Sequence, residues 1–103
     1  MTTRRNLEHH IQAGVEEHMR LTGWKYFHAY NAQRSVAGYP DLTAIRGSRV
    51  LVAELKTMTG RVSRAQLEWL DAFRAAGVEA YLWRLPADWP EVTRVLEAAA
   101  SSS

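Results

Sequence analysis

Leu7, Ile11, Val15 and Met19 recur every four residues along the start of the chain, the spacing of one face of an α-helix. This predicts a first helix from Leu7 to about Thr22, closed by Gly23. Trp24 to Asn31 then alternates, with Trp24, Tyr26, His28 and Tyr30 on one side and Lys25, Phe27 and Ala29 on the other. That period reads as a strand whose aromatic residues cover a core. Two short apolar runs, Leu42 to Ile45 and Val50 to Ala53, flank Gly47-Ser48, a two-residue hairpin signal with glycine first. Ser63 followed by Gln66 forms a capping box, after which Leu67, Leu70 and Phe73 carry a helix to about Ala76, stopped by Gly77. Val78 to Arg84 reads as a further strand and Pro86 to Pro90 as a turn. Glu91 to Ala100 reads as a short helix with Val92, Val95, Leu96 and Ala99 on its inner side. The resulting order of helix, three strands, helix, strand and helix describes an α/β fold, a mixed sheet with a helix available for each face.

The hairpin is where chemistry gathers. With Gly47 and Ser48 at the turn centre, Arg46 faces Arg49, Ile45 faces Val50, and counting outward Asp41 faces Glu54. Directly opposed side chains have Cβ atoms about 4.5 to 5.5 Å apart, and like charges there destabilise a sheet unless something neutralises them. Lys56 lies two residues past Glu54, so it projects from the same face of a strand. Two carboxylates and a lysine therefore converge, and a divalent cation would neutralise the acids. A surface hairpin carrying an ordinary Glu/Lys pair is the alternative. The apolar character of both strand faces argues against it, because it predicts a strand pair covered on both sides, where charge is costly unless paired or metal-bound.

Composition narrows the classes. The chain has 103 residues and a mass of 11.7 kDa, enough for one core and too little for two domains. The expected organisation is a flexible arm over residues 1–6, a single domain over 7–100 and a frayed tail from Ser101 to Ser103. There is no cysteine, which removes disulfides, thiolate zinc sites and a cysteine nucleophile. No apolar run approaches the roughly 18 residues of a membrane span, so an intracellular setting with no membrane partner is the expectation. Eleven of the thirteen basic residues are arginine, the side chain whose planar fork suits phosphate, and a pI near 9.3 is compatible with a nucleic-acid partner. Arg34 in the loop before Asp41, and Arg61 in the polar Thr57–Val62 connection, are placed to track a phosphate backbone. His9, His10 and His18 show no zinc-ligand spacing, and Glu16 and Glu17 read as a solvated helix face.

The sequence resembles the PD-(D/E)XK nuclease superfamily through Pro40-Asp41 followed by Glu54-Leu55-Lys56. Within it the chain is similar to the VRR-NUC domain. Ala37-Gly38-Tyr39-Pro40-Asp41-Leu42, Gly60-Arg61-Val62-Ser63, Gln66-Leu67-Glu68-Trp69-Leu70 and Ala76-Gly77-Val78 fall in that family's order. The resemblance covers Leu7 to about Arg84. It implies a restriction-endonuclease-like αβββαβ core with an added C-terminal helix. It also implies that Glu8 is an accessory carboxylate, with Gln12 one turn on, and that Gln66 reaches the site from the second helix. For Gln66 the capping role and the site role stand as rivals. Tyr39 stands where many relatives carry a smaller aliphatic residue, a difference that touches substrate access.

The expectation is a DNA nuclease dependent on Mg²⁺ or Mn²⁺. Asp41, Glu54, the Leu55 carbonyl and Glu8 would hold the ion, and Lys56 and Gln66 would complete the catalytic set. Arg34, Arg61, Arg64, Gln12 and Tyr39 would contact DNA. By analogy with standalone relatives the protein is expected to be a homodimer acting on branched or flapped DNA. The alternatives are a non-catalytic nucleic-acid-binding module and a nuclease component that works only beside a helicase or recombination partner.

Overall fold

The computed structural model describes residues 4–29 and 36–99, with side chains from Asn6 onward. Seven elements follow one another: α1 (Arg4–Leu21), β1 (Lys25–His28), β2 (Leu42–Arg46), β3 (Arg49–Thr57), α2 (Arg64–Ala75), β4 (Glu79–Leu85) and α3 (Trp89–Glu97). The order is the one the periodicities predict. The strands form one sheet in the order β1-β2-β3-β4, antiparallel across the first two pairs and parallel between β3 and β4. The return through α2 is what makes the last pair parallel. No helix among the described residues is long and apolar enough to cross a membrane.

The boundaries depart from expectation in three places. α1 begins at Arg4, inside the stretch read as an arm, because nothing between Arg4 and Leu7 breaks a helix. β1 ends at His28. Tyr30 and Asn31, like Arg34, Met1–Thr3 and the Ser101–Ser103 tail, lie outside the described residues. α3 begins at Trp89 rather than Glu91, with Pro90 in its first turn, where a missing N–H costs nothing.

One sheet face carries the main core. Val15 and Met19 of α1, Leu42, Ala44, Leu51 and Ala53 of the hairpin, Trp83 of β4, and Val92, Val95 and Leu96 of α3 pack there. Trp89 of α3 presses so closely on α1 that a Cβ at Gly14 would stand 3.0 Å from its ring. On the opposite face, α2 packs Leu70 against Val52 and Ala80. The expectation that the hairpin is covered on both sides holds only in part. A 12-residue helix spans the β3–β4 side, and Ile45 and Phe27 on the same face keep 47% and 65% of their surface exposed.

Register follows the two-residue turn at Gly47-Ser48: Arg46 faces Arg49, Ile45 faces Val50, and Leu42 faces Ala53. The two opposed arginines are reconciled by α3. Arg46 donates to the Thr22, Leu96 and Ala98 carbonyls, and Arg49 to those of Val95 and Ala98. Both guanidinium groups also lie 4.8–4.9 Å from the centre of the Trp24 ring. The carbonyl end of a helix carries partial negative charge, so the hairpin tip and the C-terminus of α3 satisfy one another.

Candidate active site

The β2–β3 pairing ends at Leu42–Ala53, and the next residue outward on each side is Asp41, just before β2, and Glu54, which β3 carries on beside Leu82 of β4. Asp41 is fixed by the Leu55 N–H, which donates to its Oδ2 at 2.8 Å. Glu54 is only 3% exposed, and Lys56 follows two residues later with Nζ 3.7 Å from Glu54 Oε2. The strand period thus delivers all three charged groups to one corner.

From the other side, α2 contributes Gln66. The Gln66 N–H donates to Ser63 Oγ, and Gln66 Oε1 accepts from the Ser63 N–H, closing the capping box. The other end of the same amide, Nε2, donates to Glu54 Oε2 at 2.8 Å. The capping and site roles are therefore held at once, one by each end of the side chain.

One turn further along α2, Trp69 donates its indole N–H to the Ala37 carbonyl at 3.1 Å. Its ring meets Tyr39 edge-on at 5.1 Å and lies 5.9 Å from Phe73. This pins the loop before Asp41 against α2. Gly38 makes the contact achievable: its φ is +82°, and a Cβ there would sit 2.5 Å from the Ala65 carbonyl carbon, an approach only glycine allows.

Burial dominates the electrostatics. It pushes the Asp41 carboxyl above its ordinary range, against the Leu55 N–H and the charge of Lys56. Burial, with Asp41 beside it, pushes Glu54 up to about 8, again opposed by Lys56. Like charges at this spacing cannot both ionise cheaply in a low-dielectric corner. Glu54 Oε1 is buried with no hydrogen-bond partner, and such an atom needs an explanation. An unpartnered carboxylate oxygen beside a second acid is the hard, anionic donor set that Mg²⁺ or Mn²⁺ takes. No group of three or more His, Cys, Asp or Glu among the described residues gathers as metal ligands, so the charged oxygens at this point come from Asp41 and Glu54.

These residues floor a cleft of about 390 Å³ between α1 and α2. Glu8 and Gln12 of α1 line it, as do Tyr39, Leu55, Lys56 and Gln66. Glu8 stands exposed on the wall and is not gathered with Asp41 and Glu54 into a ligand cluster. Tyr39 is half-buried in its aromatic cluster, its hydroxyl 3.3 Å from Thr43 Oγ1. Arg61 and Arg64 are exposed outside the cleft, Arg64 paired with Glu68 at 3.4 Å.

Two contributors escaped the sequence reading. Arg84 donates to the Thr57 and Gly60 carbonyls and holds the loop after Lys56. His28 lines the cleft, with Nδ1 2.5 Å from Gln12 Nε2. Its strand position was legible, but a partner on another element was not.

Strand order, the carboxylate pair and the acid-any-lysine strand define the PD-(D/E)XK nuclease class. Within it the chain belongs to the VRR-NUC domain family, whose model matches residues 5–84. No curated protein matches the chain. Among solved structures it is similar to Hjc, a Holliday junction resolvase from the archaeal hyperthermophile Archaeoglobus fulgidus. Identity is 26% and the TM-score 0.58, over 75% of this chain and 68% of Hjc.

Proposed function

We propose that the protein is a divalent-metal-dependent nuclease that hydrolyses DNA phosphodiester bonds, with a preference for branched DNA. The observation that carries the reading is the Asp41–Glu54 pair, driven together by the register and left with an unpartnered buried oxygen on Glu54. Binding alone gives no reason to bury two opposed acids. Family membership and the similarity to Hjc support nuclease chemistry, and the similarity to a junction resolvase supports a branched substrate.

A Mg²⁺ or Mn²⁺ ion held here would lower the pKa of a bound water and offset negative charge on the phosphate. Asp41, Glu54 and the Leu55 carbonyl are the groups placed to hold the ion, with Glu8 on the wall as an accessory carboxylate. Lys56, held against Glu54, orients the attacking water and meets negative charge in the transition state. Gln66 fixes the Glu54 carboxylate by its amide hydrogen. Arg61 and Arg64, outside the cleft, meet the flanking backbone, which makes binding steeply salt-dependent. The nuclease unit includes α3, since Trp83 and Leu85 share one core with Val92, Val95 and Leu96. Pairing of two copies is supported by Phe27, Ile45 and Val50, exposed on the sheet face that α2 leaves open.

The test is incubation of the purified protein with linear and four-way-junction DNA in Mg²⁺, Mn²⁺ or EDTA. Cleavage of the junction in metal, abolished by EDTA and by Asp41→Ala or Glu54→Ala, is the expected result. Cleavage that persists in EDTA would sink the metal mechanism. Binding without cleavage under every metal would favour a binding module.

A further inference from the structure

Among the described residues lining the cleft, Lys56 is the one lysine or arginine. Its ammonium ends a flexible stem and stands 3.7 Å from Glu54 Oε2, beyond hydrogen-bond range. Glu54 therefore attracts the ammonium without fixing it. The side chain is nonetheless only 17% exposed, and the turn that follows β3 is what covers it. A Cβ built on Gly60 would stand 3.4 Å from Lys56 Cδ and 3.1 Å from Thr57 Oγ1. The bare face of the glycine thus lies against the lysine stem.

That turn has little of its own to hold it. The Gly60 N–H reaches the Thr57 carbonyl at a long 3.3 Å, and Met58 and Thr59 at the tip are exposed. Arg84 supplies the rest, its Nη1 donating to the Thr57 carbonyl at 3.0 Å and to the Gly60 carbonyl at 2.7 Å. Register puts it there: Arg84 is the partner of Lys56 across the parallel β3–β4 pair, so both side chains leave the same face of the sheet. Its backbone is locked in turn, with the Arg84 N–H donating to Asp88 Oδ2 at 2.7 Å and the Asp88 N–H to the Arg84 carbonyl at 2.8 Å. Carbonyl acceptors meet the guanidinium charge without adding an acid that would draw the Lys56 ammonium away from Glu54.

We infer that Arg84 is a positioning residue for Lys56: by pinning both ends of the 57–60 turn it holds Gly60 against the lysine stem and fixes where the ammonium stands beside Glu54. The inference rests on the nuclease reading and deepens it, since the placed ammonium is the one that meets the phosphate.

The test pairs spectra with kinetics. Lys25 and Lys56 are the only lysines, so their ε-methylene ¹³C signals are separable, and exposed Lys25 is an internal control. In the metal-free wild type the Lys56 order parameter should lie well above that of Lys25. In Arg84→Met it should fall toward the Lys25 value while Lys25 stays put. On junction DNA in Mg²⁺, Arg84→Met should lower kcat about tenfold or more, the effect of a displaced catalytic group. KM should stay within about threefold. Arg84→Lys should recover most of the loss, because one nitrogen makes both bonds. In a Lys56→Met background, adding Arg84→Met should change kcat by less than about threefold, the non-additivity of a shared pathway.

A Lys56 signal as mobile as Lys25 in the wild type, or unmoved in Arg84→Met, overturns the inference. A kcat loss of the same factor in both backgrounds, which a general structural role would give, does so too, as does a raised KM with kcat unchanged, the mark of a direct DNA contact. In each case intact junction cleavage by the wild type leaves the nuclease reading standing. Where Lys56→Met cuts too slowly to measure, the spectra decide. If Arg84→Met does not fold, Arg84→Gln, too short to span both carbonyls, takes its place. A wild type that cuts no DNA with Mg²⁺ or Mn²⁺ overturns both.

Discussion

Gln66 Nε2 meets Glu54 Oε2 at 2.8 Å while Oε1 of the same amide caps α2. The site is thereby tied to the start of a helix, and any shift of α2 moves a hydrogen on the central acid. Gln66→Glu separates the roles, because a glutamate still fits a capping box but places a carboxylate against Glu54. We expect helix content and thermal stability at about pH 5 to stay near wild type. Cleavage should fall by about tenfold or more, the value of a lost hydrogen bond to a charged group. Unchanged cleavage would confine Gln66 to its cap.

Gly38 sets the distance between α2 and the loop carrying Asp41. Gly38→Ala meets two penalties, a left-handed backbone at φ +82° and a Cβ 2.5 Å from the Ala65 carbonyl carbon. We expect a loss of about 2–5 kcal/mol in urea unfolding, the sum of left-handed strain and overpacking. Gly77→Ala is the control. Its φ is +85° with nothing within 4 Å, so strain alone applies, at about 1–2 kcal/mol. Equal losses at the two positions would remove the steric part of the explanation.

What was legible in the sequence depends on how far each partner lies along the chain. The Asp41–Glu54 pairing was readable because Gly47-Ser48 fixes the turn and the strand period carries it outward without further information. The Ser63–Gln66 cap was readable because both residues are local. Coverage of the hairpin's second face was overestimated: apolar Ile45 and Val50 suggest burial, but whether α2 reaches them depends on where the helix crosses the sheet. The Gln12–His28 contact and the anchoring of Arg46 and Arg49 on α3 were invisible for the same reason. They join residues 16 to 52 apart on elements whose packing no local pattern specifies.

The hairpin tip offers a test of that anchoring. Arg49 grips Glu79 through two nitrogens, at 2.9 and 2.6 Å, and also donates to the Val95 and Ala98 carbonyls. The Arg49 guanidinium holds the Glu79 carboxyl below its ordinary range. Arg49→Leu should cost about 1–3 kcal/mol at neutral pH, and Arg49→Lys should recover little of it, since an ammonium cannot reproduce the fork. A depressed folded-state pKa contributes stability above the unfolded value of about 4.5 and loses it as pH falls through the folded value. The gap between wild type and Arg49→Leu in urea unfolding should therefore narrow at about pH 3. A gap independent of pH would assign the effect to the α3 carbonyls alone.

The acids of the site produce the opposite pH dependence. Burial, then the neighbouring Asp41, raise Glu54 from 4.5 to about 8, so between those values the folded metal-free protein keeps a proton that the unfolded chain has released. Stability is then fully present below pH 4.5 and lost as pH rises toward 8, by at most about 1.4 kcal/mol per pH unit for one group. Asp41 is raised as well and acts in the same direction. In EDTA the melting temperature should fall between about pH 5 and pH 8, and Glu54→Gln should flatten the fall and melt higher than wild type at pH 8. Adding Mg²⁺ at pH 8 should raise the wild-type melting temperature and leave Glu54→Gln nearly unmoved, because the ion binds the ionised pair that the folded state otherwise resists forming. A wild-type melting temperature flat across that window in EDTA would mean that Lys56 already compensates Glu54. The case for a cation at the unpartnered Oε1 would then lose its electrostatic basis.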